Sequence, residues 1–184
     1  MSNKYKYGSD RHPHFITYTV VQWIDFFIRE EYRNIIIKAL QHYQKERGLE
    51  IYGYCIMTSH IHLIIRAGEN DRFHDITRDF KGYTSKAFRK ILEDEKTNYE
   101  SRKSWMLWMM KRVGIRNANN KDFQFWQQDS HPIELWSDEV FFQKLNYIHM
   151  NPVLSGFVTE PEHWAYSSAR NHGGLQGVLE LAEL

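Results

Sequence analysis

The chain has 184 residues, of which 42% are hydrophobic, so we expect residues 1–184 to fold around one sizeable core as a single domain. Its net charge of +1 at pH 7 lacks the strongly basic balance of many nucleic-acid-binding proteins, without excluding that function. The single cysteine, Cys55, excludes an internal disulfide, and its apolar neighbours predict a buried thiol with no chemical role.

The sequence predicts neither a signal peptide nor a membrane span. Residues 1–13 lack the apolar core of about 7 to 15 residues that a signal peptide needs, and no apolar run approaches the roughly 18 residues of a membrane helix. We therefore expect a cytoplasmic protein that has no membrane partner.

The first half of the chain predicts a strand, a helix and two further strands. Residues 14–21 are rich in β-branched and aromatic side chains, which is typical of a strand. From Glu30 to Arg47 apolar residues recur at helical spacing, and Gly48 stands where a helix commonly ends. Residues 49–57 and 60–66 are two strand-like runs with a very short link, so they form either adjacent antiparallel strands or one bent strand.

The second half begins with a helical pattern over residues 71–92, in which Gly82 is the candidate position for a kink. A further helix is predicted over residues 105–110, and residues 123–135 have the composition of an extended segment. The charge is uneven here, because residues 101–116 carry five basic side chains and no acidic one. Such a run is either a solvated face or a surface that contacts phosphates.

The last predicted helix has clear ends in the sequence. Ser137 is a favourable N-cap residue, acidic side chains fill the first turn, and Pro152 is expected to end the helix. The full order is strand, helix, strand, strand, helix, further segment, strand, helix. It fits an α+β fold of the ferredoxin-like class, an antiparallel sheet with flanking helices, better than an all-helical or barrel fold.

Two histidines lie on one face of the predicted strand 60–66. Because side chains alternate along a strand, His60 and His62 point the same way, while the apolar residues between and after them point into the core. Imidazole is a common metal ligand, so the pair suits a divalent cation. The alternative is a pair of ordinary hydrogen-bonded histidines, and the same spacing also occurs in large metal-dependent barrels.

The closing helix carries a second candidate pair. Tyr147 and Asn151 are four residues apart, so they lie on one helical face and present a phenol and an amide together. The alternative is that Tyr147 packs in the core and Asn151 only caps the helix before Pro152. His149 lies about 200° around the helix from Tyr147, which favours a structural or DNA-contacting role.

Several segments together carry a family resemblance. They are MTSHIHLIIR, FKGYTSKAFRK, FWQQDSHPIEL, YIHMNPV and HWAYSSAR, which occur in this order between about residues 12 and 172. In this respect the chain is similar to the single-tyrosine HUH transposases, and specifically to their REP-associated branch. It departs from the commoner Met-Pro-Asn before the first histidine, since it has Met57, Thr58 and Ser59 there.

The resemblance implies a site and a reaction. His60 and His62 would be the HUH histidines and would bind Mg²⁺ or Mn²⁺ together with Asn151, while Tyr147 would be the nucleophile. The reaction would cleave and rejoin single-stranded or hairpin DNA through a 5′-phosphotyrosine. The family is usually dimeric, so a homodimer is favoured over a monomer. The alternatives are a catalytically silent, domesticated regulator that binds single-stranded DNA, and a replication initiator or relaxase.

A DNA substrate of this kind needs basic grooves and aromatic stacking platforms. Three tryptophans are either such platforms or part of the core: Trp105, Trp108 and Trp126. The basic residues that we expect to bind DNA are Lys81, Lys86, Arg89, Lys90, Arg102, Lys103, Lys111 and Arg112.

Overall fold

The computed structural model describes residues 12–118, 122–128 and 130–183. Most of the segment on which the signal-peptide prediction rests lies outside these ranges. Of the helices within them, none is long and apolar enough to cross a bilayer. The strands are β1 (His14–Thr19), β2 (Glu50–Ile56), β3 (His60–Arg66) and β4 (Ile133–Glu134), and the α-helices are α1 (Glu30–Arg47), α2 (Phe73–Glu93), α3 (Lys103–Ile115), α4 (Asp138–Leu154) and α5 (Ala169–His172).

The four strands form one antiparallel sheet in the order β2-β3-β1-β4. The strand β3 therefore lies inside the sheet, where its residues His60 and His62 pair with Thr19 and Thr17 of β1. The segments 49–57 and 60–66 are two antiparallel neighbours, which settles the alternative that the sequence left open. The predicted α+β class, with an antiparallel sheet and flanking helices, is confirmed.

Two apolar cores lie on opposite faces of this sheet. The larger one packs α1, α2 and α3 against Ile61 and Leu63 of β3, and the smaller one packs α4 against Ile64 of the same strand. The helix α4 approaches β2 closely, since a Cβ at Gly53 would lie 2.7 Å from Cδ1 of Leu145. This contact fixes α4 over the sheet face that the two histidines occupy.

The helix ends follow local chemistry at most positions. The helix α1 ends as predicted at Gly48, whose φ of +62° is a left-handed conformation that glycine adopts without strain. The side chain of Ser137 accepts a hydrogen bond from the Val140 amide, so it is the predicted N-cap of α4.

Cys55 is fully buried as predicted, and burial raises the pKa of its thiol.

The prediction that Pro152 ends the last helix is wrong. The helix continues to Leu154, because a proline near the C-terminus removes only one backbone donor and the following amides still find acceptors. The Ser155 amide donates to Asn151 O at 3.0 Å and the Phe157 amide donates to Pro152 O at 2.9 Å. Gly156, with a φ of +74°, is the residue where the chain turns away.

Three further boundaries differ from the sequence prediction. The first strand ends at Thr19 rather than residue 21, since Gln22 and Trp23 adopt left-handed φ values of 56° and 54°. The helix α2 runs through Gly82 without a break, because a single glycine in a helix costs stability but does not by itself bend it. Of the described residues in the segment 123–135, only Ile133 and Glu134 join a strand. The predicted helix at 105–110 is present and is longer than predicted.

A buried carboxylate, that of Glu100, connects the residues that directly precede α1 and α3. The Glu100 side chain has no exposed surface and receives hydrogen bonds from Arg29 Nε and from the Arg102 guanidinium at 3.0 to 3.1 Å. Arg102 also donates to the carbonyl of Asp25 at 2.9 Å. Burial alone would raise the pKa of Glu100, but the hydrogen bonds from Arg102 and Arg29 outweigh it and hold the pKa at about 2.

Replacing Glu100 by glutamine should destabilise the fold by about 3 to 5 kcal/mol at pH 7, because two arginines would lose their buried partner charge. The free energy of unfolding from urea titrations measures this, with Glu95→Gln, an exposed glutamate in the same segment, as the control. Because folding lowers the pKa of Glu100, the wild type should have the larger free energy of unfolding above about pH 4.5. This difference between wild type and variant should disappear as the pH falls towards about 2. A difference that does not depend on pH would contradict this explanation.

Candidate active site

The two histidines of β3 form a close pair beneath α4. Their ring centroids are 4.7 Å apart, and His62 is buried with only 3% of its surface exposed, whereas His60 is half-buried. Burial lowers the pKa of His62 to about 3, with a smaller contribution from His60, and burial also lowers the pKa of His60. Both imidazoles are therefore neutral at pH 7 and can offer a nitrogen lone pair.

A hydroxyl group lies beside the Nδ1 atom of each histidine. Thr17 Oγ1 is 2.8 Å from His62 Nδ1, and Ser59 Oγ is 3.2 Å from His60 Nδ1. A hydroxyl oxygen can accept a hydrogen bond from Nδ1–H, and that tautomer leaves the lone pair on Nε2. The sheet register brings Thr17 to this position, because it pairs directly with His62.

The helix α4 brings its predicted pair to the same place. Asn151 Nδ2 lies 3.3 Å from His62 Nε2, and the Asn151 side chain also hydrogen-bonds with His60. The Tyr147 ring is edge-on to His62, with centroids 5.2 Å apart, and 45% of its surface is exposed. The structure thus brings together all four residues that the sequence selected, and Asn151 lies inside α4 rather than capping it.

These residues fit the donor set of a small metal site. In the described part of the chain no third His, Cys, Asp or Glu completes a metal-binding group with the two histidines. A cation here would therefore take two imidazole nitrogens and the amide oxygen of Asn151, which are all neutral donors. Such a set leaves the full charge of the cation available to a bound anion.

His149 lies outside this cluster, in agreement with its predicted position on the helix. Its Nε2 is 2.9 Å from Ser168 Oγ and its ring packs beside His172. Burial and, to a smaller extent, the neighbouring His172 together lower the pKa of His149 to about 4. These contacts connect α4 with α5, so His149 contributes to packing.

Sequence reasoning missed Lys144, which lies one helical turn before Tyr147. Its Nζ atom lies 5.9 Å from the centroid of the Tyr147 ring and 5.2 Å from that of Phe15. The spacing of three residues on one helix was a signal that could have identified it. Thr17 could not have been found in this way, because its pairing with His62 depends on the strand register.

The predicted DNA-binding residues lie on or beside α2 and α3, which pack on the sheet face opposite α4. Several of them are engaged within the chain. Arg89 forms ion pairs with Glu93 and Asp122, and Lys111 forms one with Glu93. Lys81 donates to the Gln127 carbonyl, and Lys103 donates to two carbonyls. Arg102 donates to Glu100, and the Arg112 guanidinium lies over the Trp108 ring. Lys86 and Lys90 are exposed.

The three candidate stacking tryptophans differ in exposure. Trp105 and Trp108 on α3 are 48% and 53% exposed, so both rings are accessible. Trp126 is buried in the larger core, and its indole N–H donates to Thr84 Oγ1 at 2.9 Å. Its alternative assignment as a stacking platform is therefore wrong, because the whole ring is enclosed by core residues.

The element order β1-α1-β2-β3-α2-α3-β4-α4, with two histidines on an inner strand and a facing tyrosine, agrees with what the resemblance to the HUH transposases implies. The family model described as "Transposase IS200 like" matches residues 10–114, more than half of the chain. The chain therefore belongs to the family of IS200-like transposases. The matched range contains His60 and His62 and ends before Tyr147 and Asn151.

Two comparisons cover a larger share of the chain than the family model does. A Haemophilus influenzae protein named "Putative REP-associated tyrosine transposase" is 28% identical over 138 residues, which cover 75% of this chain and 66% of that protein. The match thus spans slightly less than two thirds of the relative's length. A solved REP-associated tyrosine transposase bound to a REP hairpin has the same fold, with a TM-score of 0.62 and 18% identity over 100% of this chain and 95% of the other.

Proposed function

We propose that this protein cleaves and rejoins single-stranded or hairpin DNA through a covalent 5′-phosphotyrosine on Tyr147. The observation that carries the proposal is the convergence of an exposed phenol with two neutral imidazoles and an amide at one spot. A hairpin substrate is supported by the relative named for REP elements and by the fold shared with a protein bound to a REP hairpin.

His60, His62 and Asn151 would hold the divalent cation, Mg²⁺ or Mn²⁺. When bound, the cation would neutralise the phosphate oxygens and make the phosphorus a better electrophile. Nitrogen donors suit Mn²⁺ better than Mg²⁺, which prefers oxygen. The Asn151 amide, which now contacts both histidines, has an oxygen as well as a nitrogen, so the same side chain could serve as the third ligand.

The chemical step belongs to Tyr147. Its phenolic oxygen attacks the phosphorus, the new P–O bond to the tyrosine forms, and the bond to the 3′-oxygen breaks. The phenol proton passes to solvent, and the departing 3′-oxygen takes up a proton to become a hydroxyl. Because the phosphoester energy is kept, another 3′-hydroxyl can reverse the step and join new ends. The ammonium of Lys144 supplies positive charge beside this phosphate.

Within this chain the four residues of the site lie on one sheet and on one helix that packs on it. We propose that residues 1–184 act as one catalytic domain and that two such domains associate as a homodimer. Size-exclusion chromatography with light scattering would test the association.

The direct test uses a labelled hairpin DNA with single-stranded flanks, chosen from palindromes repeated in the organism's own genome, with Mn²⁺. A covalent adduct on a denaturing gel, mapped by mass spectrometry to the peptide that contains Tyr147, is the expected result. Absence of an adduct on every such hairpin, with DNA binding retained, would favour the domesticated regulator instead.

Thr17 should act on the reaction through His62. In Thr17→Val the shape is kept but the oxygen beside His62 Nδ1 is lost, so we expect Mn²⁺ affinity and cleavage to fall about tenfold or more. Titration calorimetry with Mn²⁺ measures the affinity. Thr159→Val removes a hydroxyl from a threonine beside another histidine, His163, and should change neither quantity. Equal effects of the two variants would contradict the assignment.

A further inference from the structure

An exposed tryptophan lies directly beside the histidine pair. The Trp23 side chain is 60% exposed, and its ring is 5.5 Å from the His60 ring between centroids, at an interplanar angle of 73°. An indole with this much free surface has no role in core packing. Its position places a large aromatic face next to the atoms that would hold the scissile phosphate.

The backbone that presents Trp23 is strained and firmly held. Gln22 and Trp23 both have positive φ values, which bulky side chains rarely adopt. Their neighbours Val21 and Ile24 are buried in the core at 2% and 5% exposure, so the turn is anchored on both sides. Strain of this kind persists where the surrounding structure imposes it, and it is frequent at functional sites.

Hydrogen bonds join this turn to the strand that carries the histidines. The Val20 amide donates to Ser59 O at 2.9 Å, and the Trp23 amide donates to Val20 O at 3.0 Å. Just after the turn, Thr58 Oγ1 donates to Asp25 Oδ1 at 2.6 Å. The position of Trp23 relative to His60 is thus fixed by hydrogen bonds to Ser59 and Thr58, the two residues that directly precede this histidine.

We infer that Trp23 is a stacking platform for an unpaired DNA base next to the scissile phosphate. The inference rests on the proposed function, which supplies a single strand at this site. A base has an apolar π-face that an indole can cover whatever the sequence, and the stacking would orient the strand as its phosphate approaches the histidines. The aromatic contact would therefore set which phosphate in the strand reaches Tyr147.

Two probes of equal charge separate stacking from phosphate contacts. One is a fluorescein-labelled pool of random single strands of about 15 nucleotides, and the other is an abasic strand of the same length. Binding is followed by fluorescence anisotropy with EDTA, so that no cleavage takes place. The wild-type protein should bind the base-bearing pool more tightly than the abasic strand, by on the order of tenfold.

The variants Trp23→Leu and Trp23→Phe form a matched pair. Leucine keeps an apolar side chain without a π-face, so Trp23→Leu should lose most of the preference for bases, whereas Trp23→Phe should keep most of it. Trp136→Ala is the control, because Trp136 is 72% exposed but follows β4, which pairs at the opposite end of β1 from His60. Unchanged thermal unfolding would show that the variants are folded.

The stacking role is overturned if the wild type shows no preference for bases, or if Trp23→Leu retains it. The measured base preference does not depend on whether the protein cleaves DNA, since binding is measured without metal. A base preference that depends on Trp23, with no covalent adduct on any hairpin, would remove the proposed reaction and leave the stacking site. A covalent adduct without a base preference that depends on Trp23 would support the proposed reaction and remove the stacking site.

Discussion

Replacing Tyr147 by phenylalanine should abolish the covalent protein–DNA adduct, with at least about a thousandfold loss of strand cleavage. The substitution removes only the phenolic oxygen, and the ring can keep its edge-on contacts with His62 and Phe15. Metal and DNA binding should therefore remain. Denaturing gels with end-labelled hairpin DNA measure the adduct, and anisotropy measures the binding.

The matched control is Tyr83→Phe, which changes another exposed tyrosine, 56% accessible, on α2. It should give the wild-type amount of adduct. An adduct that persists in Tyr147→Phe would disprove the nucleophile assignment, whereas loss of DNA binding in that variant would mean that the phenol acts in recognition instead.

The two halves of the site were predictable because each depends on local periodicity. His60 and His62 share a face because a strand repeats every two residues, and Tyr147 and Asn151 share one because a helix turns every 3.6 residues. Which face of the sheet α4 covers is a matter of tertiary packing. It depends on the close approach of Leu145 to Gly53, for which no short sequence pattern exists.

The residues that sequence reasoning missed are those placed by the register and by loop geometry. Thr17 reaches His62 because β1 and β3 pair in one particular register. Trp23 reaches His60 because two residues adopt left-handed backbone conformations, which no residue type at these positions would predict. Sequence reasoning named Trp105, Trp108 and Trp126 as the candidates for stacking and did not include Trp23, whose ring contacts His60.

The basic residues show a second limit of the sequence. Charge counts identified Arg89 and Arg102 as candidates for phosphate binding, but both are already paired with carboxylates. Asp122 is brought to Arg89 by the fold, whereas Glu100 lies only two residues before Arg102 in the sequence. An arginine already paired with a carboxylate gains less from a phosphate than an unpaired one would. DNA contacts made by α2 and α3 would also lie on the opposite face of the sheet from Tyr147. A bound DNA strand would therefore have to pass around an edge of the sheet to contact both these helices and Tyr147.

Replacing His62 by alanine should lower metal-dependent cleavage by at least about a hundredfold, because loss of a second-shell partner alone commonly costs 10- to 100-fold. His62 is the more buried histidine and contacts Thr17, Asn151 and the ring of Tyr147, so its removal eliminates three contacts within the site. Titration with Mn²⁺ should show weaker binding, and added metal should restore little of the cleavage rate.

The control for this variant is His149→Ala, which removes a half-buried imidazole that points away from the site towards Ser168. Both substitutions leave a cavity, so both should lower the melting temperature by a few degrees. Only His62→Ala should change the dependence of cleavage on metal concentration. If His149→Ala lost as much metal-dependent activity, the loss would reflect general destabilisation, and the assignment of His62 as a ligand would fail. A wild-type Mn²⁺ titration curve in His62→Ala would refute it directly.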